Sequence, residues 1–166
     1  MASGDPVVQV IQVMPPATLG PQLTVRAGGS TPAERTLCYG FDTTTAEYLD
    51  FLCRLHGYDG GGLTFTVVWM AASATTNTVR WRIGIRRIAD DAEDLDTSHT
   101  YDYNSVDGTA PSASGEVSYD QVTFTDGADM DSWADGEMAI VRLNRDTAND
   151  NMSGDAQLLA ISGAET

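Results

Sequence analysis

The chain of 166 residues contains no lysine; all nine of its basic side chains are arginine. That absence removes Schiff-base chemistry on a lysine and any phosphate-binding loop that depends on one. Histidine is nearly as scarce. His56 and His99 are the only two, and neither stands in an HxH, HExxH or CxxC-type setting, so no zinc site is expected. There is no GxSxG nucleophile elbow. No apolar run approaches membrane-spanning length, and Met1-Ala2-Ser3-Gly4-Asp5 lacks the basic start of a signal peptide. Cysteine is limited to Cys38 and Cys53, too few for a disulfide framework. Strand alternation places Cys53 with Leu49, Phe51 and Leu55, and Cys38 opposite Leu37, Tyr39 and Phe41, so two free, partly buried thiols are expected.

Acid is abundant. The formal net charge is −15, which argues against nucleic acid or an anionic membrane as a direct partner. Carboxylates cluster at Asp90–Asp96 and Asp126–Asp131, but clustering along the chain does not create the fixed separation that glycosidase chemistry needs. Solvated loops are expected there, and no catalytic residue is assigned. Asp146, Asn149, Asp150, Asn151 and Asp155 gather oxygen ligands of the kind Ca²⁺ takes. The spacing lacks the terminal Glu and central Gly of an EF-hand, so the loop is expected to be a plain turn, with no metal and no cofactor.

Nearly all periodicity in the chain has period two. Leu63, Phe65, Val67 and Trp69 alternate with Thr64, Thr66, Val68 and Met70, and Val79, Trp81, Ile83 and Ile85 alternate with Arg80, Arg82, Gly84 and Arg86. Further strands are expected at Val7–Val13, Leu23–Ala27, Arg35–Phe41, Tyr48–Leu55, Thr100–Val106, Glu116–Thr125, Glu137–Arg145 and Ala156–Ser162. Asp59-Gly60, Asp107-Gly108 and Asp135-Gly136 supply turn chemistry between them. No long helix is expected; Asp90–Asp96 and Asp129–Ala134 each suit about one turn. In Glu116–Thr125 the alternation breaks phase between Tyr119 and Val122. Either a β-bulge near Asp120-Gln121 returns both halves to the core or one aromatic faces outward.

Eight to ten antiparallel strands in one domain imply a sandwich or barrel, and long connections favour a jelly roll. Residues 1–33 differ from the rest. Val7–Val13 is apolar and β-prone, Pro15-Pro16 interrupts it, and it reads either as an edge strand or as an extended amino-terminal arm that adds to a neighbour. The expected organisation is therefore residues 1–33 as arm or edge strand and 34–166 as the sandwich. Trp69 and Trp81 fall on core parity. Trp133 and the Tyr101-Asp102-Tyr103-Asn104 run lie near turns, where exposed aromatics beside carboxylates would form a sugar platform; packing into the core or an interface is the other reading. Arg80, Arg82 and Arg86 share one strand face with Arg87 adjacent, and like charges in that arrangement need acidic partners on neighbouring strands or across a subunit contact.

The last thirty residues or so read Gly136-Glu137, the Arg142-flanked strand, Arg145-Asp146, an acidic loop, then Gly154-Asp155-Ala156 before Leu158–Ile161, and are expected to form a β-hairpin with a long turn. Together with Tyr58–Gly62 and the strand at 63–72, this wording resembles bacteriophage virion proteins with jelly-roll domains. The pattern spans roughly Glu47 to Ile161. The resemblance implies a non-enzymatic structural protein on the outer surface of a phage head, made in the host cytoplasm. It would decorate and cement the shell as a homotrimer bound to the major capsid protein, stabilising the lattice by linkage. Val7, Val8, Val10, Ile11, Val13, Arg80, Arg82 and Arg86 are the candidate capsid or intersubunit contacts. The alternative is a receptor- or glycan-binding jelly roll of a tail fibre.

Overall fold

A computed structural model describes residues 5–166. Ten strands follow in order: β1 (Pro6–Met14), β2 (Gln22–Ala27), β3 (Arg35–Phe41), β4 (Tyr48–Leu55), β5 (Leu63–Ala71), β6 (Thr78–Ile88), β7 (Tyr103–Thr109), β8 (Val117–Phe124), β9 (Met138–Arg145) and β10 (Ala156–Glu165). Every pairing is antiparallel. One layer, sheet I, runs β2-β3-β10-β5-β8, and the other, sheet II, runs β1-β4-β9-β6-β7. The layers join where Pro6 and Val8 of β1 meet Ala164 and Gly163 of β10. This is a jelly-roll β-sandwich whose only helical turn is Ala128–Met130 among the described residues.

The alternating apolar positions form the core. Trp69 of β5 meets Trp81 of β6 at 6.0 Å between ring centroids, and Phe41 packs edge-on against Trp81 at 5.2 Å. Phe65 and Phe124 make a similar pair at 5.8 Å. Cys53 lies in the core and Cys38 is buried beside Thr24 on the opposite face of its sheet; both are free. Burial alone pushes the Cys53 thiol up to about 12.

Of the two readings of the amino-terminal segment, the edge strand is the one seen: residues 6–14 do not form a detached arm, since β1 pairs with β4 from Val8–Leu55 to Met14–Asp50 and Val7 is buried. Residues 1–4 of the expected arm lie outside the described residues. Pro15-Pro16 marks the point where the chain leaves sheet II for β2 in sheet I. Nor do β9 and β10 close a hairpin. β9 pairs with β4 and β6, β10 with β3 and β5, so residues 146–155 cross between layers. The physical cause is Arg145, fully buried on the core side of β9, which gathers the crossing loop around its guanidinium. Nε and Nη2 donate to Asp150 at 2.5 and 3.0 Å, Nη1 to the carbonyls of Phe41 and Gly154, and Nη2 also to Met152 O at 2.6 Å.

Candidate functional site

Tyr119 is the one aromatic side chain that stands mostly in solvent among the described residues, at 69% exposure. Its orientation follows from β8 itself. The strand pairs with β5 without a bulge from Leu63–Phe124 to Met70–Val117, so Ser118, Asp120, Val122 and Phe124 face inward and Val117, Tyr119, Gln121 and Thr123 face outward. Of the two readings of the phase break, the outward aromatic is the one seen. Asp120 tolerates its inward position because the Trp69 indole Nε1 donates to it at 2.5 Å and Ser118 Oγ at 3.2 Å.

The register maps the outer face of sheet I in rows. At one end stand Gln22, Gly40, Gln157, Met70 and Val117. The next rows are Ala160-Val68-Tyr119, Ser162-Thr66-Gln121 and Ala164-Thr64-Thr123. None of these side chains is charged, in a chain of net charge −15. Two depressions open on this face, one on each side of the Tyr119 row. The first, about 550 Å³, is lined by Arg26, Met70, Val117 and Leu159 and rimmed by Glu34 and Glu116. The second, about 610 Å³, is lined by Thr64, Thr66, Gln121 and Ser162. Thr64 to Met70 spans about 20 Å of extended strand. Arg26 is held in place by Ser114 Oγ at 2.8 Å and Gln157 Oε1 at 3.3 Å. The face thus offers one bare ring flanked by hydroxyl and amide groups that both donate and accept.

The outer face of sheet II is aromatic too, but its rings are covered. Tyr48, Asn144, Arg82 and Ser105 form one row and Asp50, Arg142, Gly84 and Tyr103 the next. Arg142 binds Asp50 through Nε and Nη2 at 2.6 and 2.7 Å and lies 4.6 Å over Tyr101. Arg82 lies 4.3 Å over Tyr103. Tyr101 approaches so closely that a Cβ on Gly84 would sit 2.9 Å from its own Cβ. The Asp50 carboxylate raises the Arg142 pKa, and burial raises those of Tyr101 and Tyr103.

The other residues singled out from sequence fall as follows. Trp133 is buried and its indole donates to Glu137 O at 2.9 Å, so it forms no platform. Arg80 pairs with Asp107, its cross-strand neighbour, through bonds of 2.7 and 3.0 Å. Arg82 lies 3.7 Å from Asp146, Arg86 is buried 3.5 Å from Glu93, and Arg87 binds Glu137. Val7 is buried and Val8 half-buried, while Val10, Ile11 and Val13 are exposed. In the 146–155 loop Asp150 is taken by Arg145, and Asn151 Oδ1 accepts from Thr78 N and Oγ1. No cluster of three or more His, Cys, Asp or Glu side chains suited to a metal occurs among the described residues. Tyr119 could be found from sequence only as one side of an ambiguous phase break, since the inward place of its neighbour Asp120 depends on Trp69 of another strand.

No family model and no curated protein matches the chain. Solved structures do. The CBM22-1 xylan-binding domain from Paenibacillus barcinonensis Xyn10C aligns with a TM-score of 0.50 at 9% identity, over 92% of this chain and 84% of that one. TmCBM61 in complex with β-1,4-galactotriose aligns with a TM-score of 0.41 at 9% identity, over 93% and 88%. At such identity the likeness is one of fold.

Proposed function

We propose that the chain is a non-catalytic glycan-binding module that holds a neutral oligosaccharide along the outer face of sheet I. The observation that carries this reading is Tyr119, a solvent-exposed ring standing among uncharged strand rows between two open depressions, one of them lined by Thr64, Thr66, Gln121 and Ser162. A pyranose ring packs its C–H face on such a tyrosine, and its hydroxyls exchange hydrogen bonds with Thr66, Gln121 and Ser162 on one side and Gln157 on the other. The sandwich fold shared with a xylan-binding domain supports the reading. The uncharged rows around Tyr119 in an acidic molecule favour a neutral ligand over an anionic one.

The wording shared with phage jelly-roll proteins supports a place on a virion. Of the two places it implies, a tail fibre accounts for a bare aromatic on an open face, whereas head decoration gives that ring no task. Isothermal titration against neutral xylo- and galacto-oligosaccharides is the test. Binding is expected to be insensitive to salt and to weaken at least about tenfold in Tyr119→Ala, as for an aromatic anchor. Binding that survives Tyr119→Ala unchanged, or that occurs only with charged glycans, refutes the assignment.

A further inference from the structure

Eight of the eleven strongly exposed large apolar side chains lie between residues 10 and 37. They include Ile11, Val13 and Met14 on β1 and Leu23, Val25 and Leu37 on the β2–β3 hairpin. Acid is sparse here: residues 6–33 contain none of the chain's 24 Asp and Glu, and Glu34 is the one carboxylate between residues 10 and 37. These strands form one flank of the sandwich. β3 leaves β10 after Tyr39–Leu158, and β1 joins it only at Gly163, so Leu159–Ser162 have no strand on that side. Leu37, Val25 and Leu23 share the parity of Tyr39 and Phe41, and Val10 and Val13 that of Cys53 and Phe51. The core therefore runs out at this flank into uncovered apolar surface, bordered by half-buried Tyr39 and Ile161.

We infer that this flank is where a second copy of the chain docks, the two sandwiches meeting edge to edge through β1 and the β2–β3 hairpin. Area supports the occupant. Eight side chains exposing about half of roughly 100 Å² each present about 400 Å² of apolar surface. A stable interface needs about 800 Å² per partner, some 450–500 Å² of it apolar. Charge selects the copy. Two molecules of net charge −15 approach only where their carboxylates stay farther apart than about a Debye length, near 10 Å. Past Val8, where it leaves β10, β1 is a free edge, and Pro6–Met14 carries no charged residue, so antiparallel pairing of this edge with its own copy opposes no like charges. β2 carries Arg26, β7 Asp107 and β8 Asp120. This inference does not rest on the glycan reading: Arg26 and Glu34 of the hairpin border the first depression, but Leu23, Val25 and Leu37 have the opposite strand parity from Arg26.

Sedimentation velocity from micromolar to about 0.2 mM protein, in about 0.05 and 0.5 M salt, tests it. Association is expected to rise with concentration and with salt, because salt screens the acidic bodies and leaves apolar contact intact. Leu37→Glu and Ile11→Glu, at 62% and 53% exposed positions on different strands, are each expected to remain monomeric, with melts like the parent. Either variant suffices if the other folds poorly, and Tyr119→Ala is expected to associate normally. A 17.7 kDa species throughout, or an oligomer that persists in both Glu variants, overturns the inference.

Discussion

Replacing Arg145 by Met removes the one cation that organises the crossing between the two sheets. The guanidinium is fully buried and Asp150 nearly so, with side-chain exposures of 0% and 3%. Methionine keeps most of the volume but leaves Asp150 without its paired donors and frees the carbonyls of Phe41, Met152 and Gly154. Breaking a buried pair from one side costs about 3–5 kcal/mol. That is a large share of the 5–15 kcal/mol typical of a domain and amounts to about 6–20 °C in melting temperature. Arg145→Lys retains the charge but not the planar fork, so it should fall between the parent and Met. Adding Asp150→Asn to Arg145→Met should recover part of the loss, because no orphan charge then remains. Urea unfolding by fluorescence at neutral pH, with and without chelator, measures all of this. A loss below about 1 kcal/mol in Arg145→Met would refute the organising role. A large drop on chelation of the parent would show that a metal, and not Arg145, holds the loop.

Two further outcomes follow from the same geometry. Asp42 accepts hydrogen bonds from Thr44 Oγ1, Thr44 N and Thr45 N at 2.6–2.7 Å, and these, the Thr44 hydroxyl first, lower its pKa from 3.8 to about 2. A depressed folded pKa gives stability that is complete above the unfolded value and lost as pH falls through the folded one, so the deficit of Asp42→Ala measured by urea titration should be constant above about pH 4 and shrink toward pH 2. Trp69 donates to Asp120, whereas the Trp81 indole nitrogen is buried with no protein partner, so Trp69→Phe should cost more than Trp81→Phe in thermal melts, and equal losses would contradict the role given to the Asp120 contact.

The strands were legible because alternation survives wherever one face is buried. β5 and β6 show it over nine and eleven residues, and their bounds are nearly those read from sequence. Pairing was less legible. An apolar strand, polar loop and apolar strand have the same wording whether the loop closes a hairpin or crosses a sandwich, and what decides for 146–155 is a buried arginine whose partners are mostly carbonyls. Trp133 was ambiguous because it stands outside every strand, between Ala128–Met130 and β9, where no alternation assigns its side chain a face. Tyr119 was ambiguous because Asp120, a polar residue on core parity, is acceptable only with an indole donor across the strand pair.

The charge of the molecule is unevenly distributed. Residues 6–41 carry Arg26, Arg35 and Glu34, a net +1, which leaves −16 for the remainder of a chain at −15. Two surfaces carry little acid: the outer rows of sheet I around Tyr119 and, Glu34 apart, the flank made by β1 and the β2–β3 hairpin. Both are regions where a carboxylate would have been tolerated by solvent exposure, so the fold did not require them to be neutral. An acidic background repels indiscriminate contact elsewhere, while neutral patches permit association without desolvating charge. Salt separates the two roles on physical grounds. A neutral ligand held by hydrogen bonds and ring stacking has little long-range electrostatic term to screen, whereas two acidic bodies brought together at an apolar flank have a large repulsive one. The same uneven charge therefore accounts for both surfaces and assigns them opposite responses to ionic strength.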